Sequence, residues 1–371
     1  MKIGKLSGAL VAVLAMGLTF AGCAPSGPSA SSSPAASVAP GSTASTGGTY
    51  TFTDGVGRQV VLPKDIERVA PSGPLAQLVL FALCPDKLVG LASMFDDSQF
   101  QYIDPKYKSL PVLGNFYGNT LNLETVMKAN PQVIIDIGDV KQTAVSDLDG
   151  IQQKTGIPTI FVNMASLDSI ASAYQTLGAV TGDTAQADKL AHYATTTLAT
   201  VRQKVASIPA SARPTVYYGQ DNGLTAAVAG TTHSAVIDTV GATNVAKISQ
   251  AAGSGTASVS MEQLLAWQPD VVLFAPGTVY GSVATSATWQ GLTAIKTGKY
   301  YEIPNGPYNW IDQPPSVNQL LGIVWLANLL YPTVFHDDMV SQTQEFYQLF
   351  YHCTVTSAQV QALLAHSTDK K

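Results

Sequence analysis

Asn122-Leu-Glu124-Thr-Val-Met-Lys-Ala-Asn-Pro131-Gln-Val-Ile-Ile135 is echoed 138 residues later by Ser260-Met-Glu262-Gln-Leu-Leu-Ala-Trp-Gln-Pro269-Asp-Val-Val-Leu273. Each copy opens on a helix-capping residue, places a glutamate two positions on, and runs through a short amphipathic helix. Each then breaks at proline and enters a Val/Ile/Leu run of the kind found in parallel strands covered on both faces. The spacing from glutamate to proline is the same in both. A long unit present twice implies two similar α/β lobes, since a solenoid needs at least three short units. Two lobes imply a crevice between them, and crevices of this kind hold ligands.

Outward from the repeat, the pattern is a βαβα rhythm. Tyr50–Phe52 and Gln59–Leu62 flank Asp54-Gly55 as a hairpin. Strands are expected at Arg68–Pro71, Lys87–Leu91, Gln132–Gly138 and Thr159–Asn163, with helices at Pro74–Leu83, Val140–Thr155 and Leu167–Thr181. Asp183–Ile208 is a single long helical pattern closed by Pro209. At 1.5 Å per residue such a helix spans about 38 Å, enough to run along one face and join two lobes. A second set of strands follows at Thr215–Tyr218, Leu224–Val228 and Tyr300–Ile303, with a helix over Ser234–Val240. The final third is helical: Ser316–Leu330, Asp337–Phe350 and Thr356–Ala365.

The first residues are a targeting segment and stand outside the fold. Lys2 and Lys5 precede the apolar run Ala9–Phe20, which is shorter than the roughly 18–20 residues a bilayer requires. Phe20-Ala-Gly-Cys23 reads as a lipobox with Cys23 lipidated; the alternative is a plain secretory signal cut nearby. Residues 1–22 are therefore expected to be removed, and 23–48 to form a Ser/Ala/Pro tether that cannot bury a core. Domain limits follow at 49–182 for the first lobe, 183–209 for the connecting helix and 210–371 for the second lobe with its terminal helices. With a net charge of −5 and no basic run, nucleic acid is not an expected partner. Cys84 and Cys353 lack framework spacing, so buried free thiols and a bridge both stay open.

At this point the chain resembles the class III solute-binding proteins of ABC importers, the Fe/vitamin B12 periplasmic-binding family. The resemblance is carried by Tyr50-Thr-Phe-Thr-Asp54-Gly-Val-Gly-Arg58, Ala82-Leu-Cys84-Pro-Asp86-Lys-Leu-Val-Gly90 and Pro111-Val-Leu-Gly114 leading into Asn122-Leu-Glu124. It continues in Asp238-Thr-Val-Gly241-Ala-Thr-Asn244 and Ala294-Ile-Lys-Thr-Gly298-Lys-Tyr-Tyr-Glu-Ile-Pro304. It implies two Rossmann-like lobes joined by one rigid helix, with the solute held in the cleft between them and only small hinge motion. It also implies no cofactor, no enzyme activity, a monomer, and a permease dimer with its ATPase subunits as partner. The protein would face the periplasm or the extracellular side, held to the membrane by its lipid.

Glu124 and Glu262 have a plain reading: an acidic residue in a first turn offsets the helix dipole by about 0.3–1 kcal/mol. The resemblance adds a second, in which each glutamate meets arginines on one permease subunit and two like charges set the docking register. Ligand contacts are expected where strands end and helices begin. Candidates are Ser72 and Gly73, Phe116 and Tyr117, Thr232 and His233, and Tyr308 and Trp310, the last two being readable as cleft or as core. No spacing assembles a bare metal site. Only Arg58, Arg68, Arg202 and Arg213 occur, none in these loops, which disfavours a strongly anionic catecholate. An iron or cobalt chelate (hydroxamate siderophore, haem or corrinoid) suits such a cleft, and a molybdate-type oxyanion held by amides and hydroxyls stays open. Enzyme signatures such as G-x-S-x-G, a P-loop or G-x-G-x-x-G after a strand are absent.

Overall fold

The computed structural model describes residues 48–249 and 255–368. The expected leader, the expected lipidation site Cys23 and the expected tether as far as residue 47 lie outside the described residues. Among the described residues, no helix is long and apolar enough to cross a membrane.

The chain enters through an antiparallel hairpin, β1 (Thr49–Thr53) and β2 (Gln59–Pro63). Asp54 shapes its turn by accepting from the N–H groups of Val56 and Arg58 at 3.1 and 2.9 Å. Arg58 then pins the hairpin down through Asp54, Asp149 and the Thr159 carbonyl. The first sheet is parallel, in the order β3 (Val69–Pro71), β4 (Val133–Gly138), β5 (Thr159–Asn163). Its helices are α1 (Pro74–Leu83), α2 (Leu123–Ala129), α3 (Ala144–Thr155) and α4 (Ile170–Thr181). Every residue of β4 is buried, as the apolar run predicts for a strand with both faces covered. Val133, Ile135 and Ile137 face the main core, while Ile134 joins Val126 of α2 and Ile151 of α3 in a smaller cluster. The expected strand at 87–91 does not form. A 3-10 turn occupies Pro85–Lys87, and only single bridges at Leu88 and Leu91 follow.

The long helical pattern is one helix, α5 (Thr184–Ala206), 23 residues or about 35 Å long. Ala187, Leu190, Ala191, Ala194, Leu198, Val201 and Val205 form its buried face at three- and four-residue steps. That face packs on α4 behind it in the chain and on a helix of the second lobe ahead of it.

The second lobe contains β6 (Thr215–Gln220), β7 (Thr225–Ala227), α6 (Ala235–Thr239), β8 (Thr243–Asn244) and β9 (Thr256–Ser258). It continues with α7 (Met261–Trp267), β10 (Val271–Phe274), the single turns α8 (Tyr280–Val283) and α9 (Thr293–Lys296), and β11 (Tyr300–Glu302). The sheet order is β11-β10-β6-β7-β9, with β8 also paired to β6. β11, β10, β6 and β8 are parallel; β7 is antiparallel to β6, and β9 is antiparallel to β7. β10 repeats the division seen in β4: Val271 and Leu273 enter the main core, and Val272 joins Leu264 of α7 on the opposite face. The two copies of the sequence unit are thus two copies of one helix–strand corner.

Three helices close the chain: α10 (Asn318–Leu330), α11 (Met339–Phe350) and α12 (Ser357–Leu363). α10 is the helix that α5 meets in the second lobe. It is buried all round from Asn318 to Ala327, and a Cβ at Gly322 would collide with the Trp310 carbonyl. α11 crosses back to α1 of the first lobe. There His352 Nε2 lies 3.1 Å from the Phe81 and Ala82 carbonyls, and Gln186 bridges the Ala82 and Leu349 carbonyls. Cys84 and Cys353 are free thiols; burial pushes that of Cys84 up to about 12.

Candidate functional site

Parallel strands direct ligands to their C-terminal ends, and each lobe holds a buried carboxylate beside such an end. In the first lobe this is Asp136, near the end of β4 and 1 % exposed. Ser72 Oγ donates to its Oδ1 at 2.5 Å, and Tyr117 OH donates to Oδ2 at 2.7 Å. Burial pushes the Asp136 carboxyl above its ordinary range, while these two donors and the nearby Lys141 pull it back. The loop carrying Tyr117 is docked by Phe116 N–H on the Ser72 carbonyl at 2.8 Å. A Cβ on Gly73 would stand 2.9 Å from Asn115 Oδ1, so a larger residue here would displace the Asn115 side chain. Phe116 and Tyr117 stack tilted at 4.6 Å, and the Lys141 ammonium lies 3.2 Å over the Tyr117 ring.

In the second lobe the carboxylate is Asp312, with no exposed surface. It accepts from Tyr218 OH at 2.7 Å, from the Gln220 amide, and from His233 Nδ1 at 3.0 Å. A carboxylate only accepts, so Nδ1 carries the proton and Nε2 is the ring nitrogen left for other partners. Gln319 of α10 donates to the Thr232 and Ile311 carbonyls at 2.8 and 2.7 Å, fixing the two second-lobe loops to each other. The lobes meet where Gln99 Nε2 donates to the Pro307 carbonyl at 3.0 Å. Beside this contact a cavity of about 350 Å³ is lined by Tyr102 from the first lobe and Gly277, Glu302, Asn305 and His366 from the second. A larger cavity, about 750 Å³, lies between α5 and α11 and is remote in sequence from every strand end.

The expected contacts are therefore distributed unevenly. Phe116, Tyr117, His233 and Tyr308 are at least partly exposed, and Thr232 is exposed. Ser72 is buried and spends its hydroxyl proton on Asp136, so it is a brace for the loop and not a free donor. Trp310 is a correction: at 1 % exposure it is core, not a stacking surface. Asn309 Oδ1 accepts from the Ile311 and Asp312 N–H groups, and this tight turn is where Trp310 is buried against α10. Asp136, Lys141, Gln220 and Asp312 were not foreseen. A lone aspartate inside Val-Ile-Ile-Asp136-Ile was the legible signal for the first. All four arginines serve the scaffold: Arg58 in the hairpin, Arg68 on the Asn130 carbonyl, Arg202 on Asp168, and Arg213 on the Val205 and Ile208 carbonyls. Among the described residues, no group of three or more His, Cys, Asp or Glu side chains is arranged to hold a metal ion.

Glu124 and Glu262 are both exposed, one on the corner of each sheet. Asn122 and Ser260 cap their helices by accepting from Thr125 and Gln263 N–H at 3.0 and 3.2 Å. Asn130 and Gln268 end them in the left-handed conformation, φ 51° and 44°, directly before Pro131 and Pro269. The Glu262 carboxyl is held below its ordinary range by its own backbone N–H and the Ser260 hydroxyl.

Comparison with known proteins places this architecture. The periplasmic binding protein family matches residues 79–307, more than half of the chain. An ABC transporter solute-binding protein from Sulfurospirillum deleyianum superposes with a TM-score of 0.78 at 30% identity, over 85% of this chain and 99% of that one. The TroA-like periplasmic binding protein FepB from Veillonella parvula gives 0.66 at 23% identity, over 82% and 97%. The molybdate-binding protein MolA of Haemophilus influenzae is 23% identical over 326 residues, 81% of this chain and 90% of that protein. The chain belongs to the periplasmic binding protein family. Proteins of this family are exported, bind a solute without transforming it, and deliver it to the permease of an ABC importer.

Proposed function

We propose that this periplasmic binding protein captures a metal oxyanion of the molybdate class in the crevice between its lobes and hands it to an importer permease. The observation that carries this reading is the burial of Trp310. A flat macrocycle such as haem or a corrinoid would stack on aromatic faces, and of the two aromatics expected in the second-lobe loop Tyr308 is half-buried and Trp310 is core. What the first wall does offer is the exposed Lys141 ammonium over the Tyr117 ring, while the hydroxyl proton of Tyr117 and the Nδ1 proton of His233 are committed to Asp136 and Asp312. Such a cation suits a compact oxyanion, and MolA, a relative along most of the chain, is named for molybdate. The second reading, an iron or cobalt chelate, is favoured by the partly exposed Phe116–Tyr117 pair.

Docking would use Glu124 and Glu262, one per lobe, against cationic side chains on the two permease subunits. The anchor would be lipid on Cys23, with residues 23–48 as tether. Calorimetric titration with molybdate, tungstate, a ferric hydroxamate, haem and cobalamin tests the solute. We expect molybdate or tungstate to bind with a dissociation constant of about 1 μM or tighter, near −8 kcal/mol. Binding of only a coloured chelate would replace this reading with the second.

A further inference from the structure

We propose that Lys141 is the charge-selecting contact of the crevice, and that Tyr117 and Asp136 are positioning residues that hold it ready. It deepens the oxyanion reading and takes from it only the sign of the ligand's charge. Lys141 lies three residues beyond the end of β4, on the side to which parallel strands direct their ligands, and its side chain is exposed. A free lysine loses much rotamer freedom on contact with a ligand. Here the ammonium is already parked 3.2 Å over the Tyr117 ring. That ring cannot swing away, because its hydroxyl donates to buried Asp136 at 2.7 Å, whose other oxygen is held by Ser72 at 2.5 Å. The ring covers one side of the ammonium, and the N–H donors on the other side remain for an anion. Asp139 and Asp147 also lie near Tyr117, so the alternative role for Lys141 is to offset their charge.

The test is calorimetric titration of the full chain with three probes: molybdate, a trianionic ferric catecholate and a neutral ferric hydroxamate, each across a range of ionic strength. Wild type should bind at least one of the anions, more weakly as salt rises. Lys141→Gln should lose roughly 10- to 100-fold of that affinity and most of the salt dependence, and Lys141→Arg should recover most of both. Tyr117→Phe, which keeps the ring and removes its anchor, should weaken binding a few-fold while keeping the salt dependence. Thermal melts confirm that the variants are folded. If Lys141→Gln binds molybdate like wild type at every ionic strength, the assignment falls and the oxyanion reading stands. If only the anionic chelate binds and Lys141→Gln loses it, the assignment stands and the oxyanion reading falls. Binding of the neutral probe alone, or of none of the three, overturns the assignment.

Discussion

Asp136 and Asp312 are buried acids, and each accepts hydrogen bonds from its own lobe. For Asp136 the balance still leaves the native carboxyl above its ordinary value of about 3.9. The native state then binds more protons than the unfolded one, so this group's contribution to stability falls as the pH rises from about 4 through the raised native value. Asp136→Asn removes that slope. Its stability relative to wild type should increase with pH, by up to about 1.4 kcal/mol for each unit by which the native value is raised. Urea midpoints of the two proteins from about pH 4 to 7 measure this, and parallel profiles would contradict it. These acids show the limit of reading residues one at a time. Asp136 is legible as a charge within an apolar strand, although the sequence reading took that run only as a covered strand, and nothing near Asp312 in sequence announces its partners, which come from 79 to 94 residues away. Trp310, readable in sequence as cleft or as core, is core for a related reason. Composition placed an aromatic in a crevice loop, and the side chain's direction depended on a turn set by Asn309.

At the scale of elements, sequence was a better guide, because caps and periodicity are local. The helix–strand corners were legible down to their ends: Asn122 and Ser260 bond as N-caps, and the residue before each proline adopts the left-handed turn. The strand expected at 87–91 was not, since a strand is defined by a neighbour's ladder and only two bridges were available. α5 is the element on which the two lobes depend, and its buried stripe was readable as a three- and four-residue rhythm. Thr196, on its exposed side, is a site where proline would break the helix without removing a core side chain. Thr196→Pro should cost about 3 kcal/mol or more, through a lost backbone hydrogen bond and a ring clash with residue 192. A thermal melt checks it. An unchanged melting temperature would mean that the joint between lobes does not rely on an unbroken helix.

For the whole molecule, one core runs through both lobes. The cluster that contains Val133 and Ile135 of β4 also contains Leu190 and Leu198 of α5 and Val271 and Leu273 of β10. α11 adds a second tie by returning to α1, where His352 and Gln186 bond the end of that helix. With these two connections, the proposed delivery to a permease predicts small opening angles and release of solute by a force pulling the lobes apart. In that proposal the paired glutamates, one on each corner of the repeat, are where the force is applied. Their equivalence was evident in sequence because the duplication preserved position as well as residue type; the crevice walls, which differ between lobes, kept no such trace. The direct test is uptake of solute by cells carrying Glu124→Arg with Glu262→Arg, set beside calorimetry on the same variant. Facing cationic partners, each reversal replaces an attraction with a repulsion of several kcal/mol. Uptake should fall to background while the dissociation constant for the solute is unchanged. Uptake at the wild-type rate, or a loss of solute affinity equal to the loss of uptake, would contradict the account.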